Sequence, residues 1–187
     1  MADTLARLGS LALCLLLSSC ILSLTPAYQT KDLVSEPALV GTWKPADEPE
    51  SWTCAAGPDR GYRVTHTDEK GRTGAYAAHL FTLQGHRFLD LVPAPLPESA
   101  NALYADHWIP GHTIARVLAL RDDRLELAVL DEDWLKRLLA ADPRAIRHEI
   151  VAGDVLLTAR TKDLQRFLLD HLATPGAFRA TLALDKH

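Results

Sequence analysis

At 187 residues, 48% of them hydrophobic and 24% charged, the chain has enough apolar material to bury one sizeable core. A formal net charge of −4 without any long basic run excludes bulk attraction to nucleic acid. With cysteine only at Cys14, Cys20 and Cys54, a CxxC redox or zinc motif is excluded as well.

The first twenty residues read as an export leader. Arg7 precedes an apolar run from Leu8 to Leu17, and the small residues Ser18 and Ser19 follow, the order of a signal peptide with its cleavage site. The residues themselves leave two alternatives open. Leu5 to Leu24 is about the length of an uncleaved bilayer span, and ordinary cleavage would leave a soluble secreted protein. The four residues Leu17-Ser18-Ser19-Cys20 resemble the lipobox of bacterial lipoprotein precursors. That resemblance implies removal of residues 1–19 and conversion of Cys20 into a lipid-modified first residue carrying fatty acyl chains such as palmitate. Ile21, a residue other than Asp, implies outer-membrane sorting where the host has two membranes. Each buried methylene is worth about 0.8 kcal/mol and stable anchoring takes at least two membrane signals, a requirement that an N-acylated, diacylated cysteine meets. In such a protein Cys14 leaves with the leader and Cys54 has no partner in its own chain. Its candidate uses are core packing, an intermolecular bridge, or a reactive or ligand role.

Residues 20–37, punctuated by Pro26 and Pro37, are expected to form a lipidated tether with partial packing on the body. Residues 38–187 are expected to form a single globular β-rich domain. Its first element, Ala38 to Trp43, is rich in strand-forming residues, with Gly41 marking a bend or close approach. Gly41 and Trp43 resemble the Gly-x-Trp strand that opens lipocalin-like (calycin) barrels, in which the Trp closes one end of the core. The resemblance implies a small antiparallel barrel and carriage of a small hydrophobic ligand.

Pro45, Pro49 and Pro58 confine Lys44 to Asp59 to a long connection, with a short packed segment around Trp52, Cys54, Ala55 and Ala56. Tyr62, Val64 and His66 then alternate with Arg63 and Thr65, and Asp68 to Gly71 supplies a turn. The following arm, Thr73 to Leu83, has apolar residues on both faces, with Tyr76, Ala78 and Leu80 opposite His79, Phe81 and Leu83. That pattern predicts a central strand covered on each side. A turn at Gln84-Gly85-His86 leads to Arg87–Val92, and three arms with tight turns predict an antiparallel meander. Pro93 to Pro97 ends it.

Asn101 to His107 is expected as a short helix. His112–Leu120 and Arg124–Leu130 form the next hairpin, with Leu125, Leu127 and Val129 on one face. Asp131 or Asp133 caps a helix in which Trp134, Leu135, Leu138 and Leu139 share a face and which stops at Asp142-Pro143. Ile146–Ala152 and Val155–Ala159 form another hairpin. Thr161 caps a second amphipathic helix bearing Leu164, Phe167, Leu168 and Leu172, and Ala177–Leu184 returns as a strand. The expected fold is α+β, mainly β: an antiparallel meander or small lipocalin-like barrel with two amphipathic helices packed against it.

Chemistry is sparse. Asp106, His107 and His112 have spacing that would let two imidazoles and a carboxylate approach one ion, but neither HExxH nor CxxC accompanies them. A surface loop is the simpler reading, so no metal and no cofactor is assigned, and a metal-dependent enzyme using the His107/His112 region stands as an alternative. No Gly-x-Ser-x-Gly elbow is present, and the acid pairs Asp122/Asp123 and Asp131/Asp133 fit a turn and a helix entrance. No catalytic residue is inferred. The functional expectation is a membrane-tethered envelope lipoprotein acting as a binding or assembly module, or alternatively a lipocalin-like carrier. Its expected partners are membrane lipid through acylated Cys20, an envelope protein, and a small hydrophobic ligand. Trp52, Tyr62, Tyr104 and Trp108 are the candidate ligand or partner surface, because aromatic side chains anchor interfaces.

Overall fold

A computed structural model describes residues 21–187, the side chains of 180 and 181 excepted. The expected leader, the Leu17-Ser18-Ser19-Cys20 motif and the acylation expected at Cys20 lie outside the described residues.

The strands are β1 (Leu22–Ser23), β2 (Gly41–Lys44), β3 (Ser51–Ala56), β4 (Tyr62–Thr67), β5 (Thr73–Leu83), β6 (His86–Pro93), β7 (His112–Leu120), β8 (Arg124–Leu130), β9 (His148–Val151), β10 (Asp154–Leu157) and β11 (Phe178–Lys186). Among the described residues there are also three α-helices, α1 (Ala102–Asp106), α2 (Glu132–Ala141) and α3 (Thr161–Asp170). The meander β2 to β8 runs antiparallel throughout, and β11 returns between β8 and β2 to close an eight-stranded barrel. The fold is thus mainly β with a closed, lipocalin-like antiparallel barrel. Strand β2 begins at Gly41 because Pro37–Leu39 forms a 3-10 turn ahead of it.

Closure is uneven around the ring. Strands β5 and β6 pair at eight positions, from Tyr76↔Pro93 to Leu83↔His86. Their reversal is tight because Gln84 and Gly85 both take positive φ, 48° and 84°, as a two-residue hairpin turn requires. Strands β2 and β11 meet only at Lys44↔Asp185 and Trp43↔Lys186. This short seam has the fewest paired positions in the barrel wall.

Strand alternation sends successive side chains to opposite faces, and β5 shows the result. Ala78 and Leu80 enter a core inside the barrel with Trp43, Val64, Leu125 and Leu127. Phe81 and Leu83 enter a second core on the barrel's flank. The expectation of a strand covered on both sides is met, and the cover on the outer side is α2 and α3. Helix α2 starts where the Asp131 carboxylate accepts from Trp134 N at 2.8 Å, and it buries Leu135 and Leu139 while Leu138 packs only in part. Helix α3 buries Leu164, Phe167 and Leu168. One detail differs from the sequence reading: the residue preceding α3 is Arg160, no side chain caps it, and Thr161 is already the first helical residue.

Residues 21–37, expected as a tether with partial packing, lie along the body. Leu22 and Ser23 form β1, which pairs with β7 and with β10, so β1, β10 and β9 extend the sheet away from the barrel over the flank. Farther on, Thr25 Oγ1 donates to the Ala159 carbonyl at 2.7 Å and Val34 N to the Leu80 carbonyl at 2.9 Å. Ala27 and Leu33 are buried in the flanking core.

Candidate functional site

The two cores differ in how they are filled. The flanking core is closed by helix side chains, whereas the barrel holds a partly open cavity of about 370 Å³, within the range of small-molecule sites. The inward residues of the strands make its wall. Leu125, Leu127 and Val129 face it from β8, as their alternation predicted, and Ala78, Leu89 and Leu184 add further apolar surface.

Trp43 is part of the cavity wall. Its ring is 1% exposed, its Nε1 donates to the Leu39 carbonyl at 2.9 Å, and Lys186 Nζ lies 5.0 Å from the ring centroid. The same ammonium donates to the Ala38 carbonyl at 2.9 Å. Cation, indole face and backbone carbonyl thereby tie the 3-10 turn to the last strand. Gly41 makes the arrangement possible, because its φ of +144° is glycine territory and a Cβ there would strike Lys186 Cε.

Polar groups are few. Trp52 and His66 occupy opposed positions on β3 and β4, and their rings lie 4.1 Å apart between centroids at an interplanar angle of 31°. Trp52 Nε1 and His66 Nε2 are both shielded from water and have no hydrogen-bond partner. His66 Nε2 is 3.5 Å from Glu50 Oε2, near enough for charge attraction but without hydrogen-bond geometry. Arg179, on β11, lies with its Nε 3.4 Å from Asp131 Oδ2. Cys54 also lines the cavity. It is a free, buried cysteine, so core packing is the use the structure gives it. Burial pushes its thiol up to about 12 against a smaller opposing pull from Lys186, which makes it unreactive.

The sequence-level candidates scatter over the molecule. Trp52 is in the cavity wall. Tyr62 is 3% exposed, and its hydroxyl accepts from Glu36 N at 2.7 Å and donates to the Glu36 carbonyl at 3.2 Å, fastening residue 36 to the barrel. Tyr104, on α1, and Trp108, just beyond it, are exposed. These four aromatics do not converge on one surface. Asp106, His107 and His112 do not converge either: His107 Nδ1 lies 2.7 Å from the Leu103 carbonyl oxygen, and His112 Nδ1 lies 2.6 Å from Asp90 Oδ1. Among the described residues no group of three or more His, Cys, Asp or Glu side chains is placed to hold a metal ion. Sequence reasoning passed over His66 and Arg179. The inward register of Tyr62, Val64 and His66 was the available signal for the first. A bulge between Ala180 and Leu182 in β11 breaks the alternation that would have revealed the second.

Comparison with protein-family models, with curated proteins and with solved structures finds no match for this chain.

Proposed function

We propose that the protein is a lipid-anchored binding module of a bacterial envelope whose barrel carries a small apolar ligand. One observation carries the ligand reading: the cavity of about 370 Å³ inside the barrel, partly open to solvent, with its largely apolar wall. An apolar void offers water few hydrogen bonds and stays dry, whereas an apolar guest gains desolvation and dispersion contacts there. Native mass spectrometry of the full-length protein should retain an organic guest, or an added one such as decanol, that is lost on solvent extraction. Ala78 is fully buried in that wall, so Ala78→Phe should fill the space and abolish uptake with the circular dichroism spectrum unchanged. A protein that stays empty with every apolar guest offered, and an Ala78→Phe variant that binds as the parent does, are the results that sink the reading.

Support for the anchor comes from the Leu17-Ser18-Ser19-Cys20 motif and the leader before it. Among the described residues no helix is long and apolar enough to cross a membrane. In the bacterial host, Cys20→Ser should abolish incorporation of labelled palmitate and release the body from membrane pellets. Undiminished labelling or pelleting rejects acylation at this residue.

A second reading, docking of an envelope protein, draws on the connection between β6 and β7. Leu103, Tyr104 and Ile109 are 68%, 59% and 73% exposed there, a local concentration of solvated apolar surface of the kind that marks interaction sites. A photocrosslinker at Tyr104 should then capture one discrete envelope protein in intact cells, and a control placed at exposed Glu69 on the β4–β5 turn should not.

A further inference from the structure

The chain running back toward Cys20 leaves the body without slack. Ile21 packs against the flanking core, Leu22 and Ser23 are paired on both sides in β1, and Leu24 N donates to the Leu157 carbonyl at 2.9 Å. An acyl group on residue 20 therefore starts one peptide unit, about 3.8 Å between Cα atoms, from a residue fixed on the fold. The surface beside Ile21 must then face the membrane that holds the anchor. We infer that the turn between β9 and β10, together with the exposed leucines of the β1 segment, is a shallow bilayer-contact surface on which the body sits flush with the lipid. The inference rests on the reading of Cys20 as the lipid-modified residue.

Two observations carry it. The first is register. Strands β1 and β10 run parallel, with Leu22↔Leu156 and Ser23↔Leu157, and β9 answers β10 antiparallel, with Val155↔Ile150 and Asp154↔Val151. The step from Leu22 to Ile21 thus runs the same way as the step from Leu156 to Val155. The turn at Ala152 and Gly153 lies on the side from which the anchor departs.

The second is what that turn is made of. Ile150 and Val151 are 58% and 54% exposed, and Leu22 and Leu24 are each 40% exposed. Ala152 and Gly153 take φ of 55° and 95°, conformations for which Asn-Gly or Asp-Gly is the usual pair. Here the first position is apolar and exposed. Turns at the far end of the barrel are polar instead: Gln84-Gly85-His86 and Arg121-Asp122-Asp123 are exposed throughout. Asp122 follows Thr113, the partner of Leu22, by nine residues, about 30 Å of strand. Apolar side chains held in water are stabilised by transfer to the headgroup boundary. Glu149 and Asp154, both exposed, flank the tip; they keep the contact shallow and favour zwitterionic over anionic lipid.

The test places a nitrobenzoxadiazole dye on Val151→Cys, or on Asp122→Cys as control, in the acylated protein purified from its host. Cys54 is buried and the lipid blocks the Cys20 thiol, so the introduced cysteine takes the label. In phosphatidylcholine vesicles recovered by flotation, the dye at 151 should shift its emission to the blue. A doxyl group high on the lipid chain should quench it at least about twofold more than one at the chain end, as burial of about 5 to 10 Å requires. The dye at 122 should stay in water. Ile150→Glu should return the dye at 151 to water while the protein still floats. A water-like dye at 151 on floating protein overturns the inference, as does a shielded dye that doxyl lipid does not quench, since a protein surface then covers the turn. Failure to float overturns instead the underlying reading of Cys20 as the anchor.

Discussion

His112 Nδ1 sits 2.6 Å from Asp90 Oδ1, and the carboxylate so engaged is completely buried. Its other oxygen accepts from Ala27 N at 2.9 Å, so a single side chain of β6 holds both β7 and the chain segment that follows β1. Asp90→Ala leaves the Ala27 amide and the His112 ring without their acceptor. It should cost about 2 to 5 kcal/mol, measured by urea denaturation, and hydrogen exchange at the Ala27 amide should accelerate more than exchange in β3 or β4.

Gly41→Ala should loosen the contact between Lys186 and the Trp43 ring. The substitution places a Cβ at a φ of +144° and against the Lys186 side chain, so the cation must leave the Trp43 face or the strand must shift. A loss of about 1 to 3 kcal/mol in thermal or chemical denaturation is expected. Trp43 indole fluorescence should become accessible to acrylamide.

Cys54 should resist alkylation in the folded protein. With its thiol pushed up to about 12 by burial, almost no thiolate exists at mildly alkaline pH, and the nucleophile is the thiolate. Peptide mapping after iodoacetamide treatment should show the Cys54 peptide unmodified until urea is added. A cavity-filling guest should not increase the labelling.

Stability should fall as pH drops below the ordinary imidazole value of 6.5. His79 is held below that value chiefly by burial, with Asp90 pulling the other way, His112 adding to the depression and Asp59 opposing it. His171 is depressed by burial against an opposing Asp170. A base with a depressed folded pKa binds fewer protons folded than unfolded, so its contribution is complete above the unfolded value and is lost as pH falls through the folded one. His79→Gln and His171→Gln should each flatten the fall in melting temperature over that range.

Local pattern carried the architecture a long way. Thr73 to Leu83 displayed its two covered faces because β alternation is a property of adjacent residues, and the strand-forming residues around Gly41 and Trp43 marked the first strand of the barrel. The site was far less legible, since its pieces join across the sheet. The partner of His112 is Asp90, 22 positions upstream, where sequence proximity had offered Asp106 and His107. Trp52 and His66 meet only through the β3–β4 register. Partial packing of residues 21–37 was expected, but its extent was not legible, because it rests on backbone hydrogen bonds to β7, β10 and β5 rather than on any periodicity of its own.

The contrast between a hollow barrel and a filled flank sets how the molecule should respond to compression. Hydrostatic pressure favours whichever state eliminates internal void volume, and the void of about 370 Å³ lies within the ring of strands. Kilobar pressures should therefore break up the strand ladders before the helical layer lets go. An occupant in the barrel would raise the pressure needed, giving a mechanical measure of occupancy that requires no knowledge of the guest.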